Sequence, residues 1–190
     1  MISYEEFSTR KNFNFQEILA FSHGKLVSNP PHELPQLPAP PFLMFDRIID
    51  VEYKARGGRI VAEQDVKLDA WFFQCHFRGD PVQPGCLGVD AVWQLSGFWG
   101  CLMGSPGCGR ALGVKEVNFS GQIRPHNKVV RYDVNNLKLI KTSGQSLVVG
   151  DANVHVDDKL IYELKGQKIG IFEGIKYENY PWQGPNGEEK

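Results

Sequence analysis

The sequence predicts an α+β fold in which one antiparallel sheet wraps one long central helix. Three observations predict it. Residues 86–104 are apolar on nearly every side, as a helix enclosed by other elements must be. Alternating, β-rich segments stand on both sides of that stretch. A single all-round apolar helix needs a curved sheet to cover it.

The elements follow in order. Residues 14–21, NFQEILAF, read as a short helix opened by Asn14, with Glu17 three residues on, and stopped near Gly24. Residues 29–41 hold six prolines and form a stiff, extended connector. Residues 43–52 and 59–67 read as two strands joined through Arg56, Gly57 and Gly58, where glycine supplies the positive φ of a tight hairpin. Residues 71–85 are aromatic-rich, then turn-rich, and read as an irregular buried loop. The central helix follows and ends at Gly104-Ser105-Pro106-Gly107. Four strand segments close the chain, at 110–121, 128–140, 146–156 and 159–172. Asp157-Asp158 sits at the tip of the last hairpin.

Composition narrows the classes. The 190 residues are 42% hydrophobic and 23% charged, with a net charge of -1, which fits one globular domain and lacks the basic face that nucleic-acid binding needs. No run of about 18 apolar residues offers a membrane span, and the N-terminus lacks the basic-then-apolar order of a signal peptide. Cys75, Cys86, Cys101 and Cys108 are clustered without a CxxC pair and read as reduced thiols of a cytoplasmic protein. There is no GxSxG, P-loop or GxGxxG, and the cysteines and His76 lack metal-ligand spacing, so neither a metal nor another cofactor is expected.

The chemistry concentrates in one segment. His76 follows Trp71, Phe72 and Phe73; alone, it reads more readily as a core histidine than as a catalytic one. Asp90 is harder to place as structure. It lies inside the most apolar helix of the chain, where a carboxylate either finds an arginine or loop partner or keeps its proton. A carboxyl group with a raised pKa suits a general acid. Gln94, four residues on, shares its helix face and is placed to hold it. Pro84, Gly85 and Cys86 open the helix, whose free N–H groups can polarise a carbonyl. Base, acid and oxyanion donors together suit elimination of water from a 3-hydroxyacyl thioester.

At CHFRGDPVQPGCLGVDAVWQL, with His76 fourteen residues before Asp90, the chain resembles the bacterial 3-hydroxydecanoyl-[acyl-carrier-protein] dehydratase/isomerase family. PQLPAPPFLMFDRI, GRALGVKEVNFSGQI and KLIYELKGQKIGIF extend the resemblance over residues 14–172. It implies a single hot-dog domain across 1–190, with its core in 14–172 and a peripheral tail at 173–190. It implies His76 as base, Asp90 as acid, and backbone N–H groups of Gly85 and Cys86 on the thioester carbonyl. The Val82 carbonyl would orient the His76 ring. The family forms homodimers whose active sites combine His and Asp from opposite subunits, and it acts on acyl groups held by an acyl carrier protein in fatty acid biosynthesis. Asp where dehydratase-only relatives have Glu points to the isomerase-capable branch. Gln83 and Ser96 depart from the family's apolar pattern. Arg124, Lys128, Lys138 and Lys141 are the cations available to an acidic carrier. A dehydratase without isomerase activity, a hot-dog thioesterase and a non-catalytic acyl-binding protein are the competing readings.

Overall fold

A computed structural model describes residues 1–54 and 57–175. Two short strands, β1 (Ile2–Ser3) and β2 (Val27–Ser28), pair in parallel and flank two helices. Ser3 caps α1 (Tyr4–Thr9) by accepting the Glu6 N–H. Helix α2 (Phe15–Ser22) opens with a full capping box: the Asn14 side chain accepts from Glu17 N–H, and the Glu17 carboxylate accepts from Asn14 N–H. Phe7, Phe13 and Phe21 from this layer pack edge-on against Phe98 of the central helix. The core therefore reaches upstream of residue 14. Helix α1 has a single apolar anchor, Phe7, and no period that would mark it in the sequence.

The main sheet is antiparallel. Strands β3 (Arg47–Lys54), β4 (Gly57–Asp65), β5 (Cys108–Gly113), β6 (Glu116–Phe119), β7 (Val129–Thr142), β8 (Gln145–Val156) and β9 (Lys159–Phe172) run in the spatial order β3-β4-β7-β8-β9-β5, and β6 also pairs with β9. On β8 every second residue from Ser146 to Val156 is buried, which is the period of a strand with one face on a core. Asp157 and Asp158 both take positive φ, 47° and 66°, at the two-residue turn into β9.

Helix α3 (Gly85–Leu102) lies across the inner face and meets β4, β7, β8 and β9. Trp99, Phe98 and Leu95 are buried there, each contributing about 1.5–3 kcal/mol. The approach is close. A Cβ on Gly88 would come within 2.6 Å of the Tyr162 ring, so glycine is what allows helix and strand to touch at that point.

Several boundaries differ from the sequence reading. Residues 43–46 are not in a strand, because the backbone of Phe42 and Met44 is bonded to Gln94 of α3. Gly57 and Gly58 already pair within β4, opposite Lys54 and Tyr53, and Arg56 lies outside the described residues. The segment 110–121 divides into β5 and β6. The loop 71–85 is buried only in part: Phe72 and Phe73 face the core from a 3-10 turn, whereas Trp71 and Phe77 are exposed. Nor is α3 covered all round. Cys86, Asp90, Trp93 and Gly97, spaced four, three and four residues apart, form one stripe that the chain's own sheet leaves open. Most of the proposed tail, residues 176–190, is outside the described residues. Among the described residues no helix is long and apolar enough to cross a membrane.

Candidate active site

The open stripe of α3 is the floor of a cleft of about 200 Å³. Asp90, Trp93, Gln94 and Gly97 line it from the helix, Leu37 and Pro38 from the proline-rich connector, Phe42 from just beyond it, and the segment around Arg110 from β5. The carboxyl group of Asp90 is half-buried in it. Burial raises its pKa above the ordinary carboxylate range, and the hydrogen bond from Gln94 offsets part of the rise. Gln94 Nε2 donates to Asp90 Oδ2 at 2.6 Å and to the Phe42 carbonyl at 2.9 Å, while Gln94 Oε1 accepts from Met44 N–H at 3.1 Å. Asp90 has no arginine, lysine or histidine within ion-pair distance among the described residues. A carboxyl group set this way favours the protonated form more than a solvated one does.

His76 stands on the irregular segment after the 3-10 turn Trp71–Gln74. Its backbone N–H donates to the Phe72 carbonyl at 2.8 Å, and its carbonyl accepts from Val82 N–H at 2.8 Å. The ring Nδ1 lies 2.9 Å from the Val82 carbonyl oxygen. A carbonyl only accepts, so the contact requires hydrogen on Nδ1 and leaves the Nε2 lone pair of a neutral ring free. The ring packs on Phe77, centroid to centroid 3.8 Å.

Gly85 and Cys86 form the first turn of α3, and among the described residues no acceptor meets their backbone N–H groups. A Cβ on Gly85 would stand 2.8 Å from the Phe119 ring, so the helix entrance is built around the absence of a side chain. The Cys86 thiol is exposed, as is that of Cys75, and all four cysteines are free.

The structure does not bring every candidate together in one chain. His76 does not line the Asp90 cleft. Ser96 does not line it either; the hydroxyl is buried and donates to the Val92 carbonyl one turn back. Trp93, the Phe42 and Met44 backbone, and β5 were not singled out in the sequence. Trp93 lies three residues from Asp90 and so shares its helix face, a signal that was available. The backbone anchors depend on long-range contact and leave no local pattern.

A helix lying across one curved antiparallel sheet, with His76 and Asp90 on successive segments, defines a hot-dog-fold protein. A family model described as the FabA-like domain matches residues 37–165, and the chain belongs to that family. Among solved structures, the dehydratase heterocomplex ApeI:P from Xenorhabdus doucetiae aligns with a TM-score of 0.53 at 15% identity, covering 85% of this chain and 92% of that one. AziG from S. sahachiroi aligns at 0.44 and 12% identity, over 66% and 90%. An uncharacterized protein from Erwinia carotovora subsp. atroseptica aligns at 0.44 and 17%, over 64% and 90%. The first of these likenesses speaks to the fold.

Proposed function

We propose that the protein is a 3-hydroxyacyl thioester dehydratase, with His76 as base and Asp90 as acid. The observation that carries this is the pairing of two opposite settings. One is a half-buried carboxyl group held by Gln94 with its pKa raised, and the other is a histidine tied at Nδ1 to Val82 O. Neutral His76 takes the C2 proton at Nε2. The C2–H electron pair forms the C2=C3 double bond, and the C3–O bond breaks as protonated Asp90 gives its hydrogen to the departing hydroxyl. Water leaves, and the two side chains exchange protons with solvent. The free N–H groups of Gly85 and Cys86 stabilise the enolate-like thioester oxygen.

The site takes its two halves from two copies of the chain. Three observations support this: His76 is absent from the Asp90 cleft, the α3 stripe is open, and β5 ends the strand order with Arg110, Ala111 and Leu112 exposed. Joining through β5 would extend the sheet beside that cleft.

The acyl group arrives on an acidic acyl carrier protein. Two of the four candidate cations are occupied. Arg124 is held by Asp80 and Gln122, and the exposed Lys141 donates to the Met103 and Gly104 carbonyls at the end of α3. Lys128 is exposed but lies at the other end of β7. Lys138 and Lys168 share one cross-strand row through Val149, and Ile140, Leu147, Gly170 and Arg110 form the next. Exposed Ile140 and Leu112 are thus rimmed by Lys138, Lys168 and Arg110, none in an ion pair among the described residues. An apolar centre with a basic rim fits a partner with an acidic helix.

After dehydration, His76 can remove a C4 proton from the bound trans-2 product and return one at C2, giving the cis-3 isomer with no further residue. The deciding experiment supplies 3-hydroxydecanoyl thioester and resolves trans-2, cis-3 and free-acid products. Enoyl products that vanish in His76→Asn support the dehydratase. A free acid as sole product would make the protein a thioesterase. Trans-2-decenoyl thioester as sole substrate separates isomerase activity from simple rehydration.

A further inference from the structure

We propose that Gly97 sets the length of acyl chain the protein accepts, because the space beside it holds the far end of the substrate's hydrocarbon tail. This rests on the reading of the Asp90 cleft as the site of dehydration.

Helix α3 contains four glycines, Gly85, Gly88, Gly97 and Gly100. Glycine is a poor residue for a helix interior, since it gives up the most backbone freedom on folding. Three of the four have a packing reason. A Cβ on Gly85, Gly88 or Gly100 would come within 2.8, 2.6 or 2.7 Å of the Phe119, Tyr162 or Ile171 side chain. Gly97 has no such reason. A Cβ there would meet a single neighbour, the Ile169 side chain, at 4.0 Å, which is ordinary contact. Nor does Gly97 take the positive φ that favours glycine. The fold would accept alanine at this position and gain helix propensity from it. The missing side chain therefore serves something that enters from outside the helix and its sheet.

The space it leaves belongs to the cleft. Gly97 is partly exposed on the open stripe of α3 and lines the cleft two turns beyond Asp90. That is about 10 Å along the helix axis. Leu37, Pro38, Trp93 and Ile169 share the lining, so the wall beyond Asp90 is largely apolar. Arg110 also lines it, but its side chain is exposed and donates to the Gly109 carbonyl at 2.8 Å. With C3 of the substrate at Asp90, a long acyl chain lies in the cleft onto which Asp90 opens. Each methylene buried against that wall stabilises the bound chain. A side chain at position 97 would occupy the same space and end the chain one turn sooner.

The test is a chain-length series. Pantetheine thioesters from 3-hydroxybutyryl to 3-hydroxydodecanoyl are given to wild type, Gly97→Ala and Gly97→Leu. The loss in kcat/KM should grow with chain length. For Gly97→Leu it should be least on the butyryl substrate and about tenfold or more on the decanoyl substrate, the scale on which an apolar pocket separates neighbouring chain lengths. Gly97→Ala adds one methyl group and should lower the preferred length by about one or two carbons. Its Cβ meets only ordinary contact, so the series can be read on it alone if Gly97→Leu does not fold. A loss equal at every length overturns the proposal, as does no change at any length. Dissociation of the copies in either variant, read by sedimentation, overturns it too, since the glycine would then serve a contact between chains. Failure of the underlying reading is distinguishable: wild type would then dehydrate none of the series. Binding of decanoyl pantetheine would still decide the role of Gly97, by weakening about tenfold in Gly97→Leu or by staying as in wild type.

Discussion

Gln94 spends both hydrogens of its amide at once, on Asp90 Oδ2 at 2.6 Å and on the Phe42 carbonyl at 2.9 Å. With Oε1 accepting from Met44 N–H, the amide has one orientation, since the reverse would set oxygen against oxygen at two points. The segment just after the proline-rich connector thereby fixes the rotamer of a carboxyl group on the far side of Gln94. Gln94→Leu should leave the Phe42 carbonyl and Met44 N–H unpaired at about 1–3 kcal/mol. It should also lower kcat by up to about 10²-fold, because small misplacements of an acid are costly. Urea melts and steady-state kinetics on one preparation separate the two effects.

The raised pKa of Asp90 has a stability consequence with a definite sign. The folded state favours the neutral carboxyl group more than the unfolded chain does. Its contribution is present below the unfolded value, near the ordinary carboxylate range, and is lost as pH rises through the folded value. Asp90→Asn keeps the shape and cannot ionise, so it should become more stable than wild type as pH rises from about 4 to about 8. Urea midpoints of both proteins across that range check it. A gap that closes with rising pH would contradict the assigned environment. Asp90→Asn should be less active than wild type by about 10²–10⁴-fold across the same range.

The fold was legible wherever local chemistry carries the signal. Asn14 and Glu17 announced the α2 cap, and Asp157-Asp158 announced a turn whose two residues both take positive φ. The central helix showed in its apolar run, although full coverage was over-read. Four positions at helical spacing stay open, and a composition of Cys, Asp, Trp and Gly does not look like a solvent face. Residues 43–45 are apolar and looked like strand, yet the Met44 N–H is taken by a glutamine fifty residues away. His76, Val82 and Asp90 could be named from the motif. Phe42, Met44 and the row that joins Lys138 to Lys168 depend on pairing across the sheet, which no single segment records.

A site divided between copies makes a prediction that needs no structure of the dimer. His76→Asn and Asp90→Asn are each expected to be nearly inactive. Mixed under conditions that exchange subunits, they should form heterodimers with one intact His76–Asp90 pair. Recovered activity should approach a quarter of the wild-type value: half the dimers in an equal mixture are mixed, and each holds one good site of two. Mass-tagged protomers verify exchange. Full exchange with no recovery would place both groups in one chain's site.

The carrier surface can be tested by charge without touching the cleft. Lys138 and Lys168 both reach solvent on the outer face of the sheet, while Asp90 and Gln94 face its inner side. Lys138→Glu and Lys168→Glu should raise KM for a carrier-linked substrate by about two- to fivefold each, the range of exposed ion pairs. Neither should change turnover of a short pantetheine-type thioester, which has no acidic helix to repel. Arg124→Glu serves as the contrast. Its guanidinium is already engaged by Asp80 and Gln122, so reversing it should disturb that local contact more than carrier binding. The Lys138 and Lys168 effects should shrink as salt is raised, because separated surface charges are screened beyond about 10 Å at 0.1 M ionic strength. Equal losses on both substrates would mean that the two lysines act on the fold and not on the carrier.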